Sequence, residues 1–397
     1  MTMQTRDVVI VGAARTAIGK FGGTLSTTPA PTLGATAIRA AIQRAGIQPD
    51  HINEVYMGNV VSAGIGQAPA RQAALQAGLP PTIGAVTINK VCGSGLEAVM
   101  MAAQAIKAGD ADVLVAGGME SMNMAPYLLK QARTGYRLGN GELIDAVVHD
   151  GLWCAFENWH MGMAAEYIAE EFGITRQDQD EYALHSHRKA MAAIANGRFT
   201  SEIVPVEIMQ RKGPPLLFDT DECPRADTSL EALSRLRPVF KEGGTVTAGN
   251  APGITDGAAA VVVCGADVAE RMGLKPLARI VGYAYAAVEP KRLFWAPVPA
   301  VHRLMQRTGE KLSDFDLIES NEAFAAQVLA NGKELDWDWQ RVNVNGGAIA
   351  LGHPIGASGA RILVTLLYAL INHSAKRGLA VLCLGGGEAV AMSVESA

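Results

Sequence analysis

Residues 89–118, NKVCGSGLEAVMMAAQAIKAGDADVLVAGG, and residues 352–387, GHPIGASGARILVTLLYALINHSAKRGLAVLCLGGG, follow one plan. In each, a Gly-rich turn opens an apolar helix, the helix leads to a short apolar strand, and the strand runs into a glycine cluster. In the first stretch Leu96, Val99, Met100, Ala103 and Ile106 recur at three-and-four spacing and stop at Gly109, ahead of Val113-Leu114-Val115 and Gly117-Gly118. In the second, Leu363, Val364, Leu367, Leu370 and Ile371 keep the same spacing, ahead of Val381-Leu382-Cys383 and Gly385-Gly386-Gly387. A duplicated α/β unit is the economical explanation, and two ordinary strand–helix units alike by chance are the alternative.

Further out, Val8–Val11 and Ala258–Val263 are continuous apolar runs like Val113–Ala116 and Ala380–Leu384, each bounded by Gly or charged residues. Such runs predict buried strands covered by helices on both faces, hence an α/β fold. Another strand is expected over Phe315–Ile318, ahead of Asn321-Glu322-Ala323-Phe324. The middle third, roughly residues 119–245, breaks the pattern with Met and aromatic residues, a polar helical stretch around Asp178–Ala193 and Gly-Pro-Pro at 213–215, and reads as an insertion.

Composition bounds the function. With 49% hydrophobic and 18% charged residues over 397 positions, the chain can bury more than one core. A formal charge of −5 and no Lys/Arg block argue against a general nucleic-acid binder. Neither a signal-peptide core nor a membrane span is expected at the start, where the apolar run is four residues long. The five cysteines are scattered without a CxxC pair, so neither a disulfide framework nor a metal cluster is expected, and a reducing cytoplasm fits. The opening VVIVGAARTAIGK matches neither GxGxxG nor GxxxxGK[ST] and reads as a first strand and its turn.

Individual residues then stand out. A lone cysteine is usually an inert apolar filler. Cys92, however, precedes a helix whose unpaired N–H groups and dipole would stabilise a thiolate, and the glycines beside it let a substrate approach. His353 occupies in the second unit the position that Cys92 holds in the first, which makes it the best base among eight histidines; a structural role is the alternative. Cys383 ends a buried strand beside a flexible Gly cluster. Asn321-Glu322 is a polar pair that is costly to bury unless bonded, with turn capping as its plainer role.

VCGSG around Cys92, NEAFA at 321–325, GGAIALGHPIGASGAR at 346–361 and CLGGG at 383–387, in that order, resemble the thiolase signature set. SHRKA at 186–190 and TAGNAPGITDGAAA at 247–260 match as well, so the resemblance spans nearly the whole chain. It implies a five-layered αβαβα fold of two related halves: residues 1–121 plus 249–274, an inserted loop domain at 122–248 for CoA binding and oligomerisation, and 275–397. It also implies a cytoplasmic homotetramer acting on acyl-CoA, with coenzyme A as substrate or product, no other cofactor, and no metal, membrane or nucleic-acid partner.

By the same resemblance Cys92 is the nucleophile, His353 its base and Cys383 the acid/base at C2. His353 and a water held by Asn321 meet the enolate oxyanion, and the N–H groups of Cys92 and Gly385 form a second oxyanion hole. Leu152, His160, Met161, Arg225, Phe240, Ala248, Pro252, Leu293, Ala323 and Phe324 are the implied acyl-CoA contacts. Asp150-Gly151-Leu152 and His160-Met161-Gly162 are similar to the short-chain biosynthetic branch. Reversible condensation of acetyl-CoA with a short acyl-CoA is the implied reaction, and a degradative 3-oxoacyl-CoA thiolase or a redox-switched relative bridging Cys92 to Cys383 the alternatives.

Two departures bear on the pocket. Pro252 stands where the family usually has a serine on pantetheine and offers neither hydroxyl nor N–H. Leu293, Phe294 and Trp295 replace a methionine and small residues, so both aromatic rings are expected to alter the acyl pocket.

Overall fold

The computed structural model describes residues 6–397. Its main elements are β1 (Val8–Thr16), α1 (Ala30–Ala45), β2 (Glu54–Gly58), β3 (Gly84–Ile88), α2 (Ser94–Ala108), β4 (Val113–Ser121), α3 (Met161–Phe172), α4 (Arg176–Ala195) and β5 (Thr255–Gly265). They continue with β6 (Ala278–Ala287), α5 (Pro297–Thr308), β7 (Leu317–Ser320), α6 (Ala325–Leu335), α7 (Ile355–His373), β8 (Arg377–Leu384) and β9 (Glu388–Ser396). The strand order is β7-β8-β9-β6-β1-β5-β4-β2-β3.

That order is two similar sheets joined at an edge. In the first, β2 pairs β4 in parallel, and β4-β5-β1 continue antiparallel. In the second, β7 pairs β8 in parallel, and β8-β9-β6 continue antiparallel. Even the outermost strand has a counterpart: Val342 bridges Ile318 in parallel, as β3 pairs β2. The joint is short, Val9 opposite Arg279 and Ile10 opposite Ala278. The duplication expected from the two Gly-rich units is therefore present in the strand pairing.

Strand residues alternate between two cores because side chains on a strand point to opposite faces. Ala259, Val261 and Val263 of β5 join the core around α2 and α7, while Ala258, Ala260 and Val262 join the one beneath α1. Each buried Val, Leu or Ile contributes about 1.5–3 kcal/mol. Continuous apolar runs thus mark strands with no solvent face.

Helices α2 and α7 form the middle layer, and nearly every residue of α7 is buried. Their crossing is backbone on backbone. A Cβ on Gly95 would lie 2.7 Å from the Ala360 nitrogen, and one on Gly359 would lie 2.5 Å from the Leu96 nitrogen. Helix α1 covers the first sheet outside and α5 the second, which completes five layers. Gly109, at φ 84°, ends α2 with its N–H on the carbonyls of Ala105 and Ile106, as its position after the periodic residues predicts.

One strand differs from expectation. Phe315–Ile318 gives way to Leu317–Ser320, because Leu312–Asp314 forms a 3₁₀ turn that Phe315 closes by donating to the Leu312 carbonyl at 3.2 Å. The long excursion between β4 and β5 is tied down by buried carboxylates. Glu166 on α3 accepts from the Thr245 and Val246 nitrogens at 2.8–2.9 Å.

Candidate active site

Three turns from both halves converge on one cavity of about 110 Å³. Cys92 comes from the turn before α2, His353 from the turn before α7, and Cys383 with Gly385 from the end of β8. Close packing of glycine makes this possible. A Cβ on Gly93 would lie 2.2 Å from Leu384 Cδ2, so only glycine lets the first turn sit against the third. Val91 precedes Cys92 with φ of 46°, a left-handed conformation that a β-branched residue adopts only under constraint. Ser94 fixes that turn by accepting from the Lys90 nitrogen at 2.8 Å and donating to the Val91 carbonyl at 2.6 Å.

The protonation states follow from the partners. Ser358 Oγ donates to the Pro354 carbonyl at 2.8 Å and lies 2.5 Å from His353 Nδ1. Its single proton is committed to that carbonyl, so it accepts from Nδ1–H, and Nε2 carries the lone pair and acts as acceptor. Nε2 lies 3.5 Å from the Nδ2 of Asn321, which is fully buried behind it. Burial, helped by the positive Arg361, pushes His353 down to about 3, so its imidazole is neutral.

Cys92 overturns one expectation. Burial pushes its thiol up to about 12, although the N–H groups of Gly385 and of Cys92 itself oppose the rise. The helix start does not yield a resting thiolate, because removing the charge from water costs more than the helix dipole returns. Those two N–H groups nevertheless point at the sulfur, where they could hold a developing oxyanion. Burial, reinforced by Cys92, also pushes Cys383 well above the usual cysteine range.

Of the Asn321-Glu322 pair, Glu322 is fully employed, whereas Asn321 Oδ1 is buried without a hydrogen-bond partner among the described residues. Glu322 accepts from Tyr182 and Ser186 on α4 at 2.9 and 2.8 Å, from Asn343 Nδ2 at 2.9 Å and from the Ile349 nitrogen at 2.9 Å. It thereby fixes both β7 and the Gly-rich stretch that leads to His353.

Leu152, His160, Met161, Phe240, Pro252, Leu293, Ala323 and Phe324 all lie on the cavity wall. His160 caps α3 by accepting from the Gly162 nitrogen at 3.0 Å and stacks on Phe240 at 4.6 Å. Arg225 and Ala248 lie outside that wall, and the Arg225 backbone N–H donates to His187 Nδ1 at 3.1 Å. Pro252 stands between Ala251 and Gly253 and offers the cavity neither a hydroxyl nor an N–H.

The two aromatic departures divide. Phe294 lines the cavity, edge-to-face on Phe324 at 5.4 Å, with its carbonyl accepting from Asn331 at 2.8 Å. Trp295 does not. Its indole N–H reaches Glu334 at 3.3 Å, and Arg292 lies 4.6 Å from its ring centroid. The 3₁₀ turn Pro290–Trp295 sends consecutive side chains in different directions, which corrects the expectation that both rings shape the pocket.

Sequence reasoning missed Ser358 and the strained Val91. Spacing could have found the first: Ser358 follows Pro354 by four residues at the start of α7, within reach of the Pro354 carbonyl and the neighbouring ring.

Residues 8–267 match the family model "Thiolase, N-terminal domain" and residues 274–396 match "Thiolase, C-terminal domain". The chain is 58% identical over 391 residues to an acetyl-CoA acetyltransferase of Escherichia coli, covering 98% of this chain and 99% of that protein. It is 56% identical over 389 residues to one of Pseudomonas aeruginosa, again covering 98% and 99%. The crystal structure of the Bacillus anthracis acetyl-CoA acetyltransferase superposes with a TM-score of 0.98 at 44% identity, each chain fully covered. With both domain models matched in order over nearly its whole length, this chain belongs to the thiolase family.

Proposed function

We propose that the protein is an acetyl-CoA acetyltransferase, joining two acetyl-CoA, or acetyl-CoA and a short acyl-CoA, reversibly into a 3-oxoacyl-CoA and CoA. The observation that carries this is the meeting of Cys92, His353, Cys383 and the Gly385 N–H in one apolar cavity. Naming of the E. coli and P. aeruginosa relatives as acetyl-CoA acetyltransferases supports the substrate.

In the thiolysis direction, Cys92 Sγ attacks C3 of the 3-oxoacyl-CoA while its proton passes to His353 Nε2. A neutral thiol and a neutral imidazole require the two events to be coupled, since neither ion is stable at rest. The C2–C3 bond breaks, its electrons form an enolate, and the Cys383 S–H protonates C2 to release acetyl-CoA. Burial keeps Cys383 in this proton-donating form. CoA–SH then gives its proton to the Cys383 thiolate and attacks the acyl group, and Cys92 leaves with the proton held by His353. Protons and charges balance, and condensation is the reverse.

The reading includes a cytoplasmic homotetramer with coenzyme A as substrate and product and no other cofactor. Tyr127, Leu138 and Leu143 stand out into solvent on the segment after β4, an apolar surface of the kind another copy covers. Light scattering reads the mass. The deciding test of activity is thiolysis of acetoacetyl-CoA together with mass spectrometry of the enzyme after acetyl-CoA. Acetyl on Cys92 and turnover are expected; an unmodified Cys92 would sink the proposal.

A further inference from the structure

The duplicated plan can be followed residue by residue. Gly58 of β2 lies opposite Gly118 of β4, and Ser320 of β7 lies opposite Val381 of β8. One residue past the first member of each pair stand Asn59 and Asn321, and two past the second stand Glu120 and Cys383. Two residues ahead of α2 and α7 stand Cys92 and His353. The trio Asn321, His353 and Cys383 thus has a counterpart in Asn59, Cys92 and Glu120. Of these six, Asn59 and Glu120 have no part in the chemistry above.

Glu120 is fully buried and bonds to four donors from two places, residues 59–61 and Gly356. Oε1 accepts from Asn59 Nδ2 at 2.8 Å and the Val61 nitrogen at 3.2 Å, and Oε2 accepts from the Val60 nitrogen at 3.1 Å and the Gly356 nitrogen at 2.8 Å. Gly356 belongs to the other half of the molecule, in the first turn of α7, three residues after His353. It is wedged in place. A Cβ on Gly356 would lie 2.9 Å from Asn59 Cα, and one on Gly118 would lie 2.0 Å from the Gly356 carbonyl oxygen. The carboxylate therefore sits at the positive end of a long helix.

We propose that Glu120 is a positioning residue, fixing the His353 turn of one half onto the Cys92 end of the other. This rests on the proposed role of His353 as the base for Cys92. Among the described residues no cation pairs with Glu120. Asp256 on β5 raises its pKa, and Glu120 in turn raises that of Cys92 before α2; at the start of α7 it meets only the Gly356 N–H and the neutral His353 turn. Burial pushes the Glu120 carboxyl up to about 7 against the N–H groups of Gly356, Val60 and Val61. Above that pH the ionised carboxylate accepts from all four donors. Below it, the added proton sets an O–H against an N–H donor and loosens the turn.

The test compares wild type, Glu120→Gln and Asn59→Ala by circular dichroism, steady-state thiolysis from pH 5.5 to 9, and the rate at which iodoacetamide alkylates Cys92. Glutamine keeps the shape but turns an NH₂ toward two donors. The expected result is a folded E120Q with kcat lowered about 10- to 100-fold, the loss that misplacement of about 1 Å produces, and KM within about 3-fold. The acid limb near pH 7 in the wild-type kcat profile should be absent from E120Q, which a purely structural residue would not cause. Asn59→Ala, which leaves the three backbone donors, should lower kcat by a smaller factor. A folded E120Q with wild-type kcat and pH profile overturns the proposal; if E120Q does not fold, a wild-type kcat and pH profile in N59A does so. Alkylation needs no acyl-CoA. An inactive wild type would therefore defeat the proposed function alone; slower alkylation in E120Q, against the faster rate that loss of the Glu120 charge alone would give, would still support positioning, whereas alkylation as fast as or faster than in wild type would refute it.

Discussion

Cys92 and His353 each stand two residues ahead of a long buried helix, at matching places in two halves of one plan, yet their turns do opposite things. The first aims a sulfur at the N–H groups of Gly385 and Cys92. The second aims an imidazole whose Nδ1 is engaged by Ser358, leaving Nε2 as the acceptor. Both groups are neutral: burial lifts the thiol and lowers the imidazole. The helix dipoles do not decide ionisation here. What separates the halves is their nearest donors and acceptors, so activation of the nucleophile is a property of the interface between them.

The largest test of that division is Cys92→Ala. Thiolysis should fall about 10⁵- to 10⁶-fold, as when a nucleophile is removed from a concerted set, and no acyl-enzyme should be seen by mass spectrometry. His353→Asn should cost about 10²- to 10⁴-fold in kcat. Cys383→Ser separates the second half from the first. Acetylation of Cys92 by acetyl-CoA should persist while thiolysis of acetoacetyl-CoA falls by a comparable 10²- to 10⁴-fold; loss of both together would show that Cys383 also serves the acylation step. Asn321→Ala removes an indirect oxyanion group and should cost about 10²- to 10³-fold.

Phe294→Gly acts on specificity. Opening the wall opposite Phe324 should raise thiolysis of longer 3-oxoacyl-CoAs relative to acetoacetyl-CoA, at a stability cost of about 3–5 kcal/mol from the cavity left behind. Trp295→Thr should leave the chain-length profile unchanged, since its ring faces Arg292 and Glu334. A shifted profile in W295T would refute this division of the two rings.

The smallest effect is on stability against pH. His353 has its folded pKa depressed from 6.5 to about 3, so below pH 6.5 the unfolded chain takes up a proton that the fold resists. That stability is present above pH 6.5 and is lost progressively as pH falls toward 3. His353→Asn should flatten the fall in urea midpoint over this window, and an unchanged slope would mean that the imidazole is not held neutral.

Much of this was legible in the sequence, for identifiable reasons. Strands buried on both faces are written as unbroken apolar runs, so Val113–Ala116 and Ala258–Val263 lie within β4 and β5. Gly109 marks the end of α2 because the chain there turns left-handed. His353 could be matched to Cys92 because glycine-rich turns before helices leave a visible pattern. The misses share another origin. Phe315 and Trp295 border 3₁₀ turns, whose side-chain directions a helical or strand period does not give. Ionisation of Cys92 depends on burial by residues far away in the chain. Glu120 was overlooked because its importance lies in a partner contributed by the other half.

The bond from the Gly356 nitrogen to Glu120 joins residues 236 apart in the chain, and β1 meets β6 through only two residue pairs. Closing so long a loop late is entropically costly and slow. Because α7 packs between the two sheets, the Cys92 turn acquires its base only once α7 has docked. Catalytic competence should therefore return last on refolding, after secondary structure is complete, and the regain of enzyme activity times the docking of the two halves.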